Sequence, residues 1–478
     1  MTRTENLMLV MDRSGPPTLI TGFLEFDRRL DFKRIEQNIK KRLLCFDRFK
    51  KRAVPLTGKT GRYRWETDHA FNLGSHLLHP PLTFADSRQL QGYFNKLATA
   101  PLDPSKPLWQ IHYLEPFENN RSHLFFRVHH CIADGIALVQ LLISITDENP
   151  DGDIRKLQNT QNHTDPANAA SGRLVRNRSP LYAMKRTGDK LYHTGSLTAA
   201  NMKSILANPA RAKNQVTDTT TAVPEISGKV ARLLLLPPDR RLFLHPEKTC
   251  GKTTENQRNL AWSGLISLDD IKKTGTRFNA TVNDIVVSIA TGGLRRYLGQ
   301  HGGLKGKPVI RMVLPVNIRP QEAALELKNE FGFIPITLPV YIKDPARRIH
   351  RISTMLDGLK QSPDSIATWI GLGAMGGLPA PVALKTARLF AEKITGTISN
   401  VPGPGYPLYF AGGQLRKIMF WVPLIKGLAI GISIISYNNS VSMGVVTDPC
   451  IAPEPGLIIQ HMEAEYKELL ETCNNRQE

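Results

Sequence analysis

Apolar residues recur at strand or helix spacing along two long parts of the chain. In the first part, residues 19–26 and 124–130 predict strands, and residues 136–145 predict an apolar helix. Asp31 predicts the start of a further helix, because its carboxylate can accept hydrogen bonds from the free backbone N–H groups of a first turn. Apolar residues at helical spacing indicate that helix: Phe32, Ile35, Ile39 and Leu43.

The second apolar part begins near Lys229 and predicts a similar mixture of elements. A long helix is expected within residues 279–298, and a hairpin is expected around the pair Asn438-Asn439. Helices and strands are mixed without strict alternation, which indicates an α/β fold with mixed sheets. The remaining predicted elements are strands at 309–314 and 334–340, hairpin strands at 428–437 and 440–446, and a C-terminal helix after Pro455.

The length of 478 residues favours two lobes, because single hydrophobic cores stop growing at about 250–300 residues. We predict an N-terminal lobe at 1–150 and a C-terminal lobe at 226–478. The segment 151–225 between them has weak apolar periodicity. Between residues 155 and 213 it carries eleven Lys or Arg and two acidic residues. This basic crossover linker is either a solvated surface segment or a strip that meets anionic membrane lipid.

Two apolar stretches raise the question of a membrane span. Residues 418–437 include Pro423 and Lys426 and many β-branched side chains, which favours a pair of buried strands over a spanning helix. Residues 366–384 are interrupted by prolines. The N-terminus has no apolar core of a secretory signal. We therefore expect a cytoplasmic protein that is soluble or peripherally associated with a membrane or lipid droplet.

The net charge of +20 favours anionic partners, which could be nucleic acid, anionic lipid surfaces or the phosphates of coenzyme A. We find no zinc-finger spacing, RNP-type motif or helix-turn-helix, so nucleic acid is not an expected partner. The five cysteines are scattered and form no CxxC pair. This pattern argues against a structural metal and against a disulfide framework, and it fits a reducing compartment.

The run His129-His130-Cys131-Ile132-Ala133-Asp134-Gly135 carries the candidate chemistry. At the end of a strand, two adjacent histidines point to opposite faces, so one can act as a base while the other is held in the structure. Two neighbouring histidines alone are commonly just packed side chains, but the Asp-Gly that follows strengthens the signal. Asp134 can fix the turn by capping the helix or pairing with an arginine, and Gly135 can permit a torsion or close approach.

Other catalytic classes lack their signatures. There is no GxSxG nucleophile elbow, no GxxxxGK[ST] loop and no GxGxxG fingerprint, so serine-hydrolase, nucleotide and redox-cofactor chemistry are not indicated. Cys131 follows the histidines in sequence, but a Cys–His pair requires adjacency in space. We therefore expect no covalent catalysis through Cys131 and no cofactor.

The pattern HHxxxDG resembles the motif of CoA-dependent acyltransferases and condensation domains. Further segments resemble one branch, the bacterial-type wax ester synthase/acyl-CoA:diacylglycerol acyltransferases. These segments occur in the family's order and span most of the chain, although the N-terminal segment and residues 151–225 match only loosely or not at all. They are Leu102-Asp103 with Pro107-Leu108-Trp109, Thr281-Val282-Asn283-Asp284-Ile285, and Ser399-Asn400-Val401-Pro402-Gly403-Pro404.

The resemblance implies a two-lobed fold with an active-site channel between the lobes. Acyl-CoA would be a substrate, and the acceptor would be a lipophilic alcohol, giving a wax ester or a triacylglycerol by direct transfer. The alternatives are an acyltransferase of the same superfamily with another acceptor, or a non-catalytic protein that binds a membrane or lipid droplet. The resemblance implies nothing about oligomeric state.

The resemblance also assigns roles to individual residues. His130 would be the general base and His129 would be secondary. Asp134 and Gly135 would be structural at the active site, and Asn283 and Asp284 would cap or anchor a helix. The triplet Pro107, Leu108 and Trp109 would shape the lipid-facing channel or simply begin a packed strand.

Overall fold

A computed structural model describes residues 1–56, 61–116, 120–150, 152, 236–239, 256–317, 327, 329–360 and 364–474. The predicted linker 151–225 lies outside these residues except for Gly152. The described strands are β1 (Leu19–Phe26), β2 (Lys51–Pro55), β3 (Tyr63–Thr67), β4 (Leu77–Leu78), β5 (Trp109–Leu114), β6 (Ser122–His129), β7 (Asn259–Trp262), β8 (Ile266–Ser267), β9 (Ile310–Asn317), β10 (Phe331–Leu338), β11 (Gly396–Pro402), β12 (Tyr409–Phe410), β13 (Gly413–Trp421), β14 (Ile430–Tyr437) and β15 (Ser440–Thr447).

The helices cover the faces of the sheets or connect their strands. Several begin at a side chain that accepts from the free N–H groups of the first turn, as Asp31 and Asp134 do. The described α-helices are α1 (Arg3–Met11), α2 (Phe32–Asn38), α3 (Ser87–Thr99), α4 (Gly135–Ile145), α5 (Leu268–Phe278), α6 (Val282–Gln300), α7 (Pro345–Lys360), α8 (Asp364–Gly376), α9 (Ala380–Ala391) and α10 (Pro455–Asn474).

The first large sheet has the strand order β12-β13-β1-β6-β5-β4. β1 lies in its middle and pairs antiparallel with β6 on one side and β13 on the other. Nearly every residue of β1 is buried, which agrees with its mostly apolar sequence. β13 comes from the C-terminal part of the chain, so residues 1–150 do not build this sheet alone. We call the part of the molecule around this sheet the first lobe.

The second large sheet has the order β10-β9-β11-β14-β15-β7, with β8 also paired to β15. β11 runs parallel to β14 and β9, whereas β9 pairs antiparallel with β10 and β14 with β15. The predicted α/β fold with mixed sheets is therefore confirmed. A separate apolar core packs this sheet against α6 and α10. We call this part the second lobe.

The predicted hairpin forms between β14 and β15. Asn438 and Asn439 occupy its turn with φ angles of 43° and 59°. A two-residue turn with both central residues at positive φ suits the twist of a hairpin, and asparagine tolerates that conformation better than most residues.

The apolar stretch 418–437 contributes to two strands, as predicted, but the strands belong to different sheets. Its first part lies in β13 of the first lobe and its last part in β14 of the second. The stretch 366–384 is divided between α8 and α9, and Pro379 precedes the first residue of α9. Within the described part of the chain, we find no helix with the length and apolar character needed to span a membrane.

One of the described cysteines forms a disulfide bond, which the sequence did not predict. Cys45, Cys131 and Cys473 are free thiols, whereas Cys450 is disulfide-bonded. A single bonded cysteine is not the disulfide framework against which the scattered spacing argued. Scattered spacing could not reveal this bond, because a disulfide depends on proximity in the folded chain.

Candidate active site

The end of β6 delivers two adjacent histidines to opposite sides of the first sheet. His129 is the last residue of β6 and lies opposite Leu19 of β1. The N–H of His130 donates to the carbonyl oxygen of Thr18 at 2.9 Å, so the strand alignment continues for one more residue. Because successive strand side chains point to opposite faces, only one of the two imidazoles can face a given cavity.

His129 faces the protein interior and has both ring nitrogens occupied. Its Nε2 lies 2.8 Å from Oδ2 of Asp12, and its Nδ1 accepts from the N–H of Cys131 at 3.1 Å. Burial lowers the pKa of this ring, but Cys131 and Asp12 outweigh that effect and raise the pKa to about 10. The hydrogen bond from the N–H of Cys131, in contrast, can form only when Nδ1 carries no hydrogen. This bond therefore favours the neutral form of the His129 ring. In either protonation state, neither nitrogen is free to take a substrate proton.

His130 faces a cavity between the lobes and is held by Asn329. Nδ1 of His130 lies 2.9 Å from Oδ1 of Asn329, whose Nδ2 donates to the backbone carbonyl of His130 at 2.8 Å. The ring of Phe331 lies 5.2 Å from the imidazole, measured between centroids. Asn329 therefore bonds to Nδ1 of the His130 ring and not to Nε2.

The electrostatic surroundings keep His130 in its neutral form. Burial has the largest effect and lowers the pKa of this imidazole below 6.5. Asp134 and the hydrogen bond to Asn329 oppose the shift without reversing it. A neutral imidazole at neutral pH has the lone pair that a general base requires.

Asp134 is the helix cap that the sequence predicted. Its Oδ1 accepts from the N–H of Ala137 at 3.0 Å, which fixes the first turn of α4. Its Oδ2 accepts from the N–H of Glu330 at 3.1 Å, so the same carboxylate also binds the backbone of the second lobe. The expected pairing with an arginine remains a prediction.

The cavity that His130 faces has a volume of about 590 Å³ and lies between the two lobes. Its first-lobe wall includes Thr18, His130, Asp134 and Gly135. Its second-lobe wall is formed largely by β9, β10 and β11. Apolar second-lobe residues on the wall are Val313, Pro315, Phe331, Phe333 and Val401, and polar ones include Arg311, Thr397, Ser399 and Asn400.

A smaller cavity of about 110 Å³ lies between α4 and the first sheet. Its wall is apolar and includes Leu141 and Ile145 of α4, together with Trp109 and Leu124 from the sheet. Gly135 belongs to the walls of both cavities. A Cβ atom at Gly135 would meet no protein atom within 4 Å, and its φ is not positive. The glycine is therefore not required by the backbone here, contrary to expectation, and it leaves open space between the cavities.

The Pro107-Leu108-Trp109 segment packs in the interior of the first lobe and also lines the smaller cavity through Trp109. Trp109 begins β5, donates from Nε1 to the carbonyl of Phe49 at 2.9 Å, and stacks against His76. It also lines the small apolar cavity. Pro107 and Leu108 are buried beside it, and the carbonyl of Leu108 accepts from the N–H of His129 at 2.9 Å. This segment thus supports the strand that carries the histidines.

Asn283 and Asp284 lie behind the cavity wall rather than in it. Asp284 forms a capping box with Thr281 at the start of α6, with reciprocal bonds of 2.8 and 3.2 Å. Oδ1 of Asn283 accepts from Nδ2 of Asn400 at 3.0 Å. Since Asn400 lines the large cavity, this bond ties the second-lobe helix to the wall strand β11.

Two site residues escaped the sequence analysis: Asp12, which holds His129, and Asn329, which holds His130. They lie 117 and 199 positions from their partners. No local spacing connects residues so far apart. Asn329 lies two residues before the first residue of β10, but that position is ordinary for asparagine. Within the described ranges, no group of three or more His, Cys, Asp or Glu side chains could hold a metal ion.

Known proteins resemble the chain over both lobes. The model of the wax ester synthase/diacylglycerol acyltransferase catalytic domain matches residues 6–286, and the model of the family's C-terminal domain matches residues 327–470. The O-acyltransferase WSD of Acinetobacter baylyi is 27% identical over 419 residues, covering 86% of this chain and 84% of that protein. The tgs2 protein of Mycobacterium tuberculosis, named a probable diacylglycerol O-acyltransferase, is 26% identical over 430 residues, covering 88% and 86%.

Solved structures share the fold. The wax ester synthase/diacylglycerol acyltransferase of Marinobacter aquaeolei VT8 aligns with a TM-score of 0.63 at 20% identity, covering 98% of each chain. A condensation domain of the calcium-dependent antibiotic synthetase aligns with a TM-score of 0.57 at 13% identity, covering 98% of this chain and 96% of its own. The family models together span most of the sequence. The chain therefore belongs to the wax ester synthase/diacylglycerol acyltransferase family and is an O-acyltransferase.

Proposed function

We propose that this enzyme transfers an acyl group from acyl-CoA directly to the hydroxyl of a lipophilic alcohol, with His130 as the general base. The observation that carries the proposal is the position of His130 on the wall of a largely apolar cavity between the lobes, with its Nδ1 beside Oδ1 of Asn329 and its Nε2 not bonded to that residue. Such help from a positioned base is worth about 10²–10⁴-fold in rate.

The transfer needs one proton acceptor that later becomes a proton donor. Nε2 of His130 takes the hydroxyl proton as the alcohol oxygen attacks the thioester carbonyl carbon. The tetrahedral intermediate then collapses, the C–S bond breaks, and the imidazolium returns the proton to the departing thiolate of CoA. The products are the ester and CoA–SH, and the His130 imidazole is neutral again. His129 takes no part in these steps because Asp12 and the backbone of Cys131 occupy its ring.

The cavity walls favour long-chain substrates. Apolar side chains dominate both cavities, and the small one between α4 and the sheet is lined by apolar residues and Gly135 alone. A polar acceptor would lose its hydration there without finding enough hydrogen-bond partners. Long-chain alcohols and diacylglycerol are therefore the proposed acceptors, with wax esters or triacylglycerol as products.

Release of free CoA tests this function. Purified enzyme is given palmitoyl-CoA with hexadecanol, with a diacylglycerol or with a polar alcohol, and the ester is identified by mass spectrometry. We expect ester formation with at least one lipid alcohol, its loss in His130→Ala, and a smaller loss in His129→Ala. No CoA release with any lipid alcohol would contradict the proposed reaction. Turnover of His130→Ala near the wild-type rate would contradict the general base.

Peripheral attachment to an anionic membrane or lipid-droplet surface is part of the same proposal. The proposed acceptor alcohols are insoluble in water, and the net charge of +20 favours anionic lipid headgroups. Sedimentation with phosphatidylglycerol-containing vesicles should retain the protein at low salt and release it at high salt. Equal sedimentation with purely zwitterionic vesicles would contradict electrostatic attachment.

A further inference from the structure

Asn329 makes two bonds to His130 from the opposite lobe. Its Oδ1 lies 2.9 Å from Nδ1 of His130, and its Nδ2 donates to the carbonyl oxygen of the same residue at 2.8 Å. Asn329 is only 4% exposed, so water does not compete effectively for these bonds. A single amide thus contacts both the ring and the backbone of the proposed base.

The chemistry of the carbonyl group fixes the orientation of this amide. A backbone carbonyl oxygen can only accept, so the Asn329 atom facing it must be the nitrogen. The amide oxygen must then face Nδ1 of His130. Because that oxygen can only accept, Nδ1 must carry a hydrogen and donate it. In a neutral imidazole the other nitrogen, Nε2, is then unprotonated and holds the lone pair.

The neighbours of Asn329 place it relative to the first lobe. The N–H of Glu330 donates to Oδ2 of Asp134, and the ring of Phe331 lies against the imidazole of His130. Three consecutive second-lobe residues therefore meet the end of β6 and the cap of α4. The orientation of His130 in the first lobe depends on a segment of the second.

We propose that Asn329 is a positioning residue that fixes the tautomer of His130, so that Nε2 serves as the base of the acyl transfer. The inference rests on the proposed function, since it presumes that His130 accepts the proton. A neutral amide has an advantage over a carboxylate at this position. It selects the tautomer without adding a negative charge that would favour the imidazolium form.

Two substitutions separate tautomer control from other roles. Asn329→Ala removes both bonds, so kcat should fall by 10-fold or more while the KM for acyl-CoA changes less than threefold. Asn329→Asp keeps an oxygen for Nδ1 and therefore the tautomer, but adds a charge. The kcat of Asn329→Asp at pH 8 should exceed that of Asn329→Ala. In its kcat–pH profile, the midpoint of the acid limb should lie about one pH unit higher than in wild type.

A matched control is available elsewhere between the lobes. Oδ1 of Asn95 in α3 accepts from the N–H of Leu260 in β7 at 2.8 Å, and Asn95 lines neither cavity. Asn95→Ala should keep the wild-type pH profile and kcat within threefold. If Asn329→Ala does not fold, the pH profile of Asn329→Asp still decides the question.

The outcomes separate this inference from the proposed function. If His130→Ala loses turnover but Asn329→Ala keeps a kcat within threefold of wild type, tautomer control is overturned and the proposed function stands. An Asn329→Asp profile that coincides with wild type would also overturn it. Retained turnover in His130→Ala would instead remove the general base itself, and with it the basis of the inference.

Discussion

The backbone N–H of Glu330 donates to Oδ2 of Asp134 across 3.1 Å, joining the two lobes beside the proposed base. The other carboxylate oxygen of Asp134 caps α4 through Ala137. One side chain therefore fixes both the turn that follows His130 and the segment that contains Asn329. We expect the aspartate of the HHxxxDG motif to act through these contacts and through its charge near His130, rather than through proton transfer.

Asp134→Asn should weaken the lobe contact while keeping the helix cap, because asparagine also caps helices well. Its amide nitrogen would face the N–H of Glu330, and two donors cannot bond. We expect kcat to fall by about 10-fold and the free energy of unfolding to fall by about 1–3 kcal/mol. Steady-state kinetics and urea unfolding measure the two effects.

The control for this change is Asp86→Asn, at the cap of α3. Asp86 accepts from the N–H of Gln89 at 2.8 Å and is exposed. This substitution leaves the active site untouched, so kcat should stay at the wild-type value. If the two variants lose the same small amount of activity, Asp134 has no role beyond capping.

The acid limit of activity should report the pKa of His130. Burial lowers this pKa below 6.5, and the base works only when unprotonated. The value of kcat/KM should therefore be constant at neutral pH and decline tenfold per pH unit only below a midpoint that lies under 6.5. Ester formation followed by chromatography gives the profile. A midpoint clearly above 6.5 would mean that another group limits the reaction or that His130 is not desolvated.

The sequence predicted best what depends on neighbouring residues. The strand at 19–26 and the helix cap at Asp134 follow from local apolar patterns and a local side-chain bond, and both were correctly placed. The assignment of β13 to the first-lobe sheet was not predictable, because β13 pairs with β1 nearly four hundred residues away. Asn329 and Asp12 were missed for the same reason. Their roles arise from contacts that only the folded chain creates.

The buried His112 should make the protein less stable in mild acid. Burial, and to a lesser extent the neighbouring Arg127, lower the pKa of His112 to about 4. Between pH 6.5 and 4 the unfolded chain then binds a proton that the folded chain does not. Stability from this group is present above pH 6.5 and is lost as the pH falls towards 4. The loss amounts to about 3 kcal/mol, at 1.4 kcal/mol per pH unit.

His112→Gln tests this linkage. The variant removes the titrating group and retains an amide that can bond to the hydroxyl of Tyr93, which lies 3.0 Å from Nδ1 of His112. Urea unfolding at pH 7 and pH 4.5 should show a smaller pH-dependent loss in the variant than in wild type. Contributions from other titrating groups affect both proteins and cancel in the comparison. Identical pH dependence would show that His112 titrates normally.

Gly135 should control how far a long acyl chain can extend. It lines both cavities, and a side chain there would enter open space rather than contact protein atoms. Gly135→Ala should leave the fold intact and could raise its stability by up to about 1 kcal/mol, because alanine is the better helix former. Gly135→Leu should block a long acyl chain that passes this residue. The ratio of turnover with palmitoyl-CoA to turnover with octanoyl-CoA should therefore fall at least tenfold.

The ratio of the two turnover rates is the decisive measurement, because a general loss of folded enzyme would lower both rates equally. Gly92 offers a matched control, because it lies in α3 and is exposed. A Cβ atom at Gly92 would also meet no protein atom within 4 Å. Gly92→Leu should leave the palmitoyl-to-octanoyl ratio unchanged. An unchanged ratio in Gly135→Leu would mean that the acyl chain does not pass Gly135, and that the small apolar cavity between α4 and the sheet stays outside the acyl path.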